Sequence, residues 1–235
     1  MIGHFKVAAA LFLALAIAAP QGAETREFVR RVATDEKIVA LTFDDGPHPT
    51  ETAKIIELLD SYGAKATFFV VGQNAELYPD ALRMAAASGH EIANHTYSHL
   101  SLSKCSSDKI KSEISRAEDA IFSVSGARPR LFRPPEGAIS GSVISASREM
   151  GYDVVLWNID TRDWAHRGTE EIVGNIKKNI APGSIILFHD YIGGERHTRD
   201  VLSVILPYLS SLGYKFVTVS DMLRKTTRTG DLSAP

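Results

Sequence analysis

Apolar and polar positions along the chain fall into blocks that predict strands and amphipathic helices in turn. Short apolar runs rich in β-branched and aromatic residues predict buried strands, whereas apolar residues three and four positions apart predict helices. The most regular helical spacing runs from Ser106 to Ser125 and ends at Gly126. The predicted strands are 37–43, 66–71, 91–94, 131–133, 152–159, 184–188 and 214–219, and the predicted helices are 50–62, 77–88, 106–125, 140–150, 169–180, 198–212 and a short one from Met222.

The alternation of strands and helices determines the expected fold. Such a chain pairs its strands in parallel through right-handed crossovers, and 235 residues suit one α/β domain. We therefore expect a distorted (β/α) barrel of about seven strands, although periodicity alone does not exclude an open doubly wound sheet. Thr169 is the predicted N-cap of its helix, and Pro207 is expected to kink helix 198–212 or to start its second half.

Residues 1–23 differ from the rest of the chain. Lys6 is followed by an uncharged run of thirteen residues, 7–19. This run is shorter than the roughly 20 residues of a membrane-spanning helix and is typical of a signal peptide. The small-x-small pattern at 16–18 is the best cleavage signal, Ala23 is an alternative, and an uncleaved anchor is the other interpretation. Residues 24–36 are predicted to be an N-terminal linker or covering segment, 37–223 the folded domain and 224–235 a polar tail.

The overall composition excludes several classes of protein. With 44% hydrophobic and 23% charged residues, the chain is neither disordered nor embedded in a membrane. Lys and Arg number 26 against 28 Asp and Glu, so the net charge of -2 offers no electrostatic footprint for nucleic acid or anionic lipid. Cys105 is the only cysteine, which excludes an internal disulfide. We expect an exported monomer that is extracellular, periplasmic or associated with the cell envelope.

Polar and ionisable residues follow five of the first six predicted strands. In parallel α/β folds, active sites form at the carboxyl ends of strands, so these residues are expected on one rim. Asp44 and Asp45 belong to a sequence that on its own is more typical of a turn, but two adjacent carboxylates need a cation, a metal or a shared proton. The residues at the five strand ends are Asp44-Asp45, His95 to His99, Arg133 to Gly137, Asp160 to Trp164 and His189-Asp190.

His95 and His99 stand four positions apart, which on a helical turn would place both rings about 5 to 6 Å apart on one face. Such a pair alone is more typical of ordinary surface histidines. With a carboxylate from another strand end, however, two imidazoles and one carboxylate make a metal site with open positions, as catalytic centres have. The same ligand set also serves non-haem iron oxygenases, so the ligands leave the reaction open.

Five short segments carry the strongest signal in the chain. They are Thr-Phe-Asp-Asp-Gly-Pro at 42–47, His-x3-His at 95–99, Arg-Pro-Pro-x-Gly at 133–137, Asp-x-x-Asp-Trp at 160–164 and Leu-Phe-His at 187–189. In this order they resemble the motifs of the polysaccharide deacetylase family, also called the NodB-homology domain or carbohydrate esterase family four. The resemblance implies a distorted (β/α) barrel with a divalent metal, most often Zn²⁺ with Co²⁺, Mn²⁺ or Ni²⁺ as alternatives, that removes acetyl groups from N-acetylated sugars.

The resemblance also implies roles for individual residues. Asp45, His95 and His99 would hold the metal. Asp44 would be the general base that takes a proton from the attacking water, and His189 would protonate the departing amine. The supporting side chains would be Arg133, which pairs with Asp44 and lowers its pKa, Asp163, which orients His189 and favours its cationic form, and Trp164 and Leu187, which line the acetyl pocket.

Two residues of the rim, Glu136 and Asp190, do not take a role from the family pattern. The family usually has an aromatic residue at position 136, commonly Tyr, whose backbone N–H helps to bind the oxyanion. The N–H survives in Glu136, so the oxyanion hole can persist. The Glu136 carboxylate would oppose developing negative charge unless it is turned away or paired, and a contact with a substrate hydroxyl or amine is the other interpretation. Asp190 is expected to be an ordinary solvent-exposed residue, and a contact with sugar is the other interpretation.

We therefore expect an exported, metal-dependent hydrolase that deacetylates N-acetylglucosamine units in peptidoglycan or chitin-type oligomers. An acetylxylan esterase with the same site is the nearest alternative. A non-catalytic carbohydrate-binding relative and an iron oxygenase are alternatives from other classes. The sequence leaves open which glycan and chain length are used, which metal is native and whether the leader is cleaved.

Overall fold

The structure, a computed structural model, describes residues 27–165, 167–191 and 197–227. The predicted signal peptide and most of the predicted tail lie outside the described residues. Eight strands of the described part form one sheet, and every pairing in it is parallel. The strands are β1 (Ile38–Asp44), β2 (Thr67–Val70), β3 (Glu91–Asn94), β4 (Leu131–Phe132), β5 (Asp153–Val154), β6 (Ile159–Asp160), β7 (Ser184–His189) and β8 (Lys215–Phe216).

Helices connect most of the successive strands, as the alternating pattern predicted. Within the three described ranges, no helix combines the length and the apolar character needed to cross a bilayer. The helices are α1 (Glu51–Ser61), α2 (Gly72–Leu77), α3 (Pro79–Ala87), α4 (Ser107–Ser125), α5 (Gly141–Glu149), α6 (Thr169–Asn179), α7 (Thr198–Ser211) and α8 (Val219–Thr227).

The sheet curls into a half-barrel. Its strand order is β5-β4-β3-β2-β1-β7-β6, and β8 pairs with β1 beside this path. The predicted distorted barrel of about seven strands in a single α/β domain is therefore confirmed. Among the described residues, the terminal strands β5 and β6 do not pair with each other, so the barrel stays open on that side.

The N-terminal segment interrupts one predicted strand. The apolar run 152–159 is not one strand but two short ones, β5 and β6. At the break between them, the backbone forms hydrogen bonds with Val29. The N–H of Val29 donates to Val154 O at 2.9 Å, and its carbonyl accepts from Leu156 N–H at 2.7 Å. A chain segment distant in sequence thus competes with regular strand pairing at this place.

Two helix predictions also differ from the structure. The predicted helix 77–88 is the end of α2 followed by α3, which begins at Pro79 because proline suits the first helical position. The N-cap of α6 is Gly168 rather than Thr169, and Thr169 is the first residue of the helix. Pro207 lies inside α7, which continues past it.

The first strand lies at the centre of the fold. All seven residues of β1 are buried, and β2 and β7 pair on its two sides. The ring of Phe43 stacks on Phe68 and Phe188 of these neighbours, with centroids 5.0 Å and 5.6 Å away. Because parallel strands present their carboxyl ends at the same edge, this arrangement brings the polar strand ends to one rim.

Gly183 allows the N-terminal segment to pass close to the start of β7. Its φ is +78°, and a Cβ there would lie 1.8 Å from the carbonyl oxygen of Val32, whereas Gly63 has φ +59° and nothing within 4 Å. We predict that Gly63→Ala lowers the free energy of unfolding by about 1 to 2 kcal/mol through left-handed strain. Gly183→Ala should lower it by about 1 to 3 kcal/mol more, because backbone must also move. Urea denaturation of both variants measures the difference, and equal losses would contradict this account.

Candidate active site

The two carboxylates at the end of β1 face different surroundings because the chain turns between them. Asp44 is the last residue of the strand and is buried, whereas Asp45 has left the strand with φ of 75°. Residues that follow β2 stabilise this turn. Asn74 Nδ2 donates to Asp45 O at 2.7 Å, and Val71 N–H donates to Gly46 O at 2.9 Å. The left-handed backbone of Asp45 thus gives the two adjacent carboxylates different closest partners.

Arg133 is fully buried and holds Asp44. Its Nη1 donates to Asp44 Oδ1 at 2.5 Å and to Thr42 Oγ1 at 3.0 Å. Its Nε donates to Val155 O at 3.1 Å and its Nη2 to Leu156 O at 2.9 Å. Burial lowers the pKa of Arg133, and Asp44 opposes that shift, so the charged guanidinium depends on its carboxylate. The pair fixes Asp44 at the wall of the cleft.

Asp45, His95 and His99 meet at one point. The Nε2 atoms of His95 and His99 lie 3.3 Å and 3.1 Å from Asp45 Oδ1, and the ligand atoms of all three lie within 4.8 Å of one another. Nδ1 of His95 donates to Arg133 O at 2.7 Å, which leaves Nε2 to face Asp45. Asp45 Oδ1 is buried and makes no hydrogen bond among the described residues. Two imidazoles and one such carboxylate fit a divalent cation with open positions.

The charges in this cluster suit a cation. Burial would raise the pKa of Asp45, but the imidazoles of His95 and His99 outweigh burial and hold the pKa far below its usual value. Asp45 in turn raises the pKa of His99, which burial opposes. Asp45 is therefore a carboxylate at neutral pH, the form that binds cations. A cation must displace the proton of His99, so its affinity is expected to fall as the pH falls.

The residues from His95 to His99 form a loop, not the helical turn expected from their spacing. Thr96 and His99 have φ of 68° and 55°, both left-handed. Asn94 Oδ1 accepts from Thr96 N–H at 2.9 Å and supports the first of these bends. The two ring centroids are nevertheless 5.1 Å apart. The predicted proximity is thus present, but a supported loop produces it.

Glu113 of α4 anchors this loop, and sequence reasoning missed it. The side chain is buried, and its Oε2 accepts from Ser98 N–H and from Ser98 Oγ, both at 3.0 Å. Its Oε1 accepts from Lys109 Nζ at 2.9 Å. The sequence nevertheless contained a sign that this carboxylate is buried. Glu113 stands three positions after Ile110 and four before Ala117, so it lies on the apolar face of the helix.

Asp163 is buried beneath His189 and orients it. Its Oδ1 lies 2.7 Å from His189 Nδ1, and its Oδ2 accepts from His189 N–H at 2.9 Å and from Thr198 Oγ1 at 2.8 Å. Burial would lower the pKa of His189, but Asp163 outweighs it, and the pKa rises to about 9. Asp44 and Asp45 add to the rise. His189 is thus protonated at neutral pH, and Nε2 is the ring nitrogen left for the cleft.

All ten predicted site residues lie in or directly behind one cleft. The cleft has a volume of about 570 Å³. Arg133 and Asp163 stand behind its wall, where they hold Asp44 and His189. Trp164 is 54% exposed at the rim, whereas Leu187 is buried at the base. The lining residues are Asp44, Asp45, His95, His99, Glu136, Trp157, Asp160, Trp164, Leu187, His189 and Tyr191.

Trp157 and Tyr191 also line the cleft, and sequence reasoning missed both. A Cβ on Gly137 would lie 2.8 Å from the indole ring of Trp157, a close approach that only the structure reveals. The glycine of the Arg-Pro-Pro-x-Gly segment therefore makes room for a tryptophan from another strand end. No local pattern marks Tyr191, which only the fold brings to the cleft.

Glu136 is an exposed residue with φ of 61° in a short turn. Its Oε2 accepts a hydrogen bond from Ser101 Oγ at 3.0 Å. A neutral hydroxyl thus holds the carboxylate in place but does not neutralise its charge. Glu136 also adds to the raised pKa of His99, so its charge reaches the candidate metal centre.

Asp190 is buried rather than solvent-exposed, and that expectation was wrong. Its Oδ2 accepts from Thr52 Oγ1 at 2.6 Å, and its N–H donates to Asp44 O at 3.2 Å. Burial raises the pKa of Asp190 to about 7, Thr52 opposes the rise and Asp45 adds to it. Asp190 therefore links the end of β7 to the end of β1 and to the start of α1. Its position directly after a strand suggested exposure, but these contacts bury it.

A curled parallel half-barrel with a His-His-Asp cluster and two buried charge pairs around one cleft defines an α/β protein with a candidate catalytic metal centre. Residues 31–155 match the family model described as polysaccharide deacetylase. The chain belongs to this family, which confirms the resemblance of its motifs, and with it to a class of hydrolases acting on carbon–nitrogen bonds other than peptide bonds.

Named relatives and a solved structure agree with this assignment. The chain is 43% identical over 195 residues to a peptidoglycan-N-acetylglucosamine deacetylase of Bacillus cereus, covering 82% of this chain and 91% of that protein. It is 38% identical over 189 residues to a chitooligosaccharide deacetylase of Bradyrhizobium, covering 75% and 86%. The crystal structure of a peptidoglycan N-acetylglucosamine deacetylase with 4-naphthalen-1-yl-N-oxidanyl-benzamide matches with a TM-score of 0.81 and 37% identity, covering 83% and 92%.

We predict that Asp163→Asn lowers the pKa of His189 from about 9 toward its ordinary value. The raised pKa keeps His189 protonated up to about pH 9, and the loss of the Asp163 charge removes the main cause of that rise. NMR titration of the imidazole nitrogens measures the change. Thr198→Val, which removes one hydrogen bond to Asp163 but no charge, is the matched control and should shift the pKa much less. An unchanged pKa in Asp163→Asn would show that Asp163 is not the cause.

We predict that Glu113→Gln weakens Zn²⁺ binding by about tenfold or more, because residues that orient metal ligands typically have effects of that size. The amide that replaces the Glu113 carboxylate has no negative charge to pair with Lys109, and it accepts the two hydrogen bonds from Ser98 less strongly than the carboxylate does. Glu118→Gln on the same helix, where the carboxylate accepts from Tyr152 OH at 2.6 Å, is the matched control. Calorimetric titration with Zn²⁺ gives both affinities, and equal affinities in the two variants would contradict an anchoring role.

Proposed function

We propose that this chain is a metal-dependent deacetylase that removes the N-acetyl group from N-acetylglucosamine units in peptidoglycan or chitin-type oligomers. The observation that carries the proposal is the convergence of Asp45, His95 and His99, with ligand atoms within 4.8 Å, in the cleft that also holds Asp44 and His189. Family membership supports the reaction, and the names of the relatives support the substrate class.

The donor set suggests which metal chemistry this cleft would use. A divalent cation, most often Zn²⁺ with Co²⁺, Mn²⁺ or Ni²⁺ as alternatives, supplies polarisation of a carbonyl and activation of water at such a site. Asp45, His95 and His99 would hold it, because two imidazoles and one carboxylate leave positions open for water and substrate.

The other side chains would move protons and position the substrate. Asp44, fixed by Arg133, accepts the proton of the attacking water. His189, kept protonated by Asp163, donates a proton from Nε2 to the departing amine nitrogen, so the product leaves as a neutral amine. Leu187 and Trp164 surround the acetyl methyl group and limit the access of bulk water.

We also propose that the protein is exported and acts on extracellular, periplasmic or envelope glycans. The apolar run 7–19 supports this proposal from the sequence. Export also agrees with the substrate proposed above, since polymers of the peptidoglycan or chitin type lie outside the cytoplasm.

We predict that Asp44→Asn lowers acetate release from chitooligosaccharides and peptidoglycan by at least about 100-fold, the lower end of the range for a general base. The variant should still bind Zn²⁺, because the three proposed ligands remain. Asp80→Asn, whose side chain is 96% exposed, is the matched control and should keep full activity. A chelator should abolish the wild-type reaction.

Acetylated xylan is the third substrate of this assay. Release of acetate from xylan alone would identify an acetylxylan esterase instead of an N-deacetylase. Full activity of Asp44→Asn with bound Zn²⁺ would refute the proposed base, and activity that survives complete metal removal would refute the proposed metal dependence.

A further inference from the structure

Three aromatic rings contact one another at the edge of the cleft. His48 lies just after β1, Tyr78 lies between α2 and α3, and Tyr191 follows β7. The ring centroids of His48 and Tyr191 are 5.2 Å apart, those of Tyr78 and Tyr191 6.4 Å, and those of His48 and Tyr78 6.5 Å. We call these three residues the rim platform. None of them has a part in the reaction chemistry described above.

The rim platform is continuous with the cleft and open to solvent. Tyr191 lines the cleft itself and is 37% exposed, and the other two rings are partly exposed. Leu77, next to Tyr78, is 66% exposed. Large apolar side chains grouped at the mouth of a binding cleft are typical of ligand contact rather than of an ordinary polar surface.

The local backbone fixes the His48 ring before any ligand arrives. Its Nδ1 accepts from the backbone N–H groups of Thr50 and Glu51 at 3.2 Å and 3.1 Å, at the start of α1. His48 N–H donates to Thr52 Oγ1 at 2.7 Å. A ring that is already held in place loses little conformational entropy on binding, which favours a binding role.

The chemistry of the platform selects the ligand. Two phenols and an imidazole offer broad apolar faces and polar edges with no fixed negative charge, which suits the C–H face and hydroxyl rim of a pyranose ring. Trp157 and Trp164 reach the same cleft from the ends of β5 and β6. A glycan held in the cleft has a further sugar next to the reacting one, and that sugar needs a surface.

We propose that the rim platform is a binding subsite for the pyranose ring adjacent to the N-acetylglucosamine unit whose acetyl group lies in the cleft. This inference rests on the proposed function, since it assumes an oligomeric glycan substrate. It adds that the protein prefers glycans of two or more units over small acetyl compounds, and that Tyr78 is a specificity-determining residue.

The test compares chitotetraose with 4-nitrophenyl acetate, an acetyl ester that carries no sugar. Tyr78→Ala should lower the ratio of kcat/KM for chitotetraose to kcat/KM for the ester by about three- to tenfold, the size expected for the loss of one stacked ring. Tyr78→Phe keeps the ring and should retain the wild-type ratio. Tyr62→Ala, which truncates a 40% exposed tyrosine near the end of α1, is the matched control and should also retain it.

A second measurement separates the platform from the proposed reaction. The ring signals of Tyr78 should shift in NMR spectra of the Zn²⁺-loaded wild type during titration with chitotetraose. An unchanged ratio in Tyr78→Ala, or an equal fall in Tyr62→Ala, would overturn the platform. If the wild type released no acetate from any glycan, the proposed function would fail, and the NMR titration alone would then decide whether the platform binds sugar; absence of a shift would overturn it.

Discussion

The buried ion pair between Arg133 and Asp44 is the interaction that links the curled sheet of this protein to its candidate active site. Removing a guanidinium from water costs several kcal/mol unless its donors are matched. Here the donors reach Asp44 and Thr42 on β1 and two carbonyls in the segment after β5, and the ring of Phe69 on β2 lies 3.9 Å from the guanidinium carbon. One side chain at the end of β4 therefore joins several strands of the curled sheet and fixes the candidate base.

Arg133 also couples the base to the candidate metal centre. Its carbonyl accepts from His95 Nδ1, so its main chain orients a proposed metal ligand while its side chain orients Asp44. Glu113 and Asp163 have comparable positions: each is a buried carboxylate whose hydrogen bonds fix a histidine or the loop that carries it. Buried charged side chains with hydrogen-bond partners of their own thus hold the candidate base, the candidate acid and the proposed metal ligands in fixed positions, as a functional site requires.

The sequence predicted the parts of this site that local motifs specify and missed those that depend on distant contacts. The parallel α/β class followed from alternating periodicity, whereas the distorted barrel and the ten predicted site residues followed from five motifs that lie at strand ends. The path of the loop from His95 to His99 did not follow, because left-handed residues supported by Asn94 and Glu113 set it rather than helical spacing. The break in strand 152–159 was equally hidden, since Val29, more than a hundred positions away, provides the competing hydrogen bonds.

The same ion pair favours an enzyme over a non-catalytic carbohydrate-binding relative with this fold. Replacing a buried charge pair with packed apolar residues is often neutral or stabilising, so stability alone is a weak reason for Asp44 and Arg133 to be present. A binding module would use the cleft and its aromatic residues, but it would have no use for a buried carboxylate fixed at the cleft wall or for a histidine whose pKa is raised to about 9. Proton transfer needs both, because one group must accept a proton and the other must donate one at the same pH. The pattern of buried charge is therefore better explained by hydrolysis than by binding.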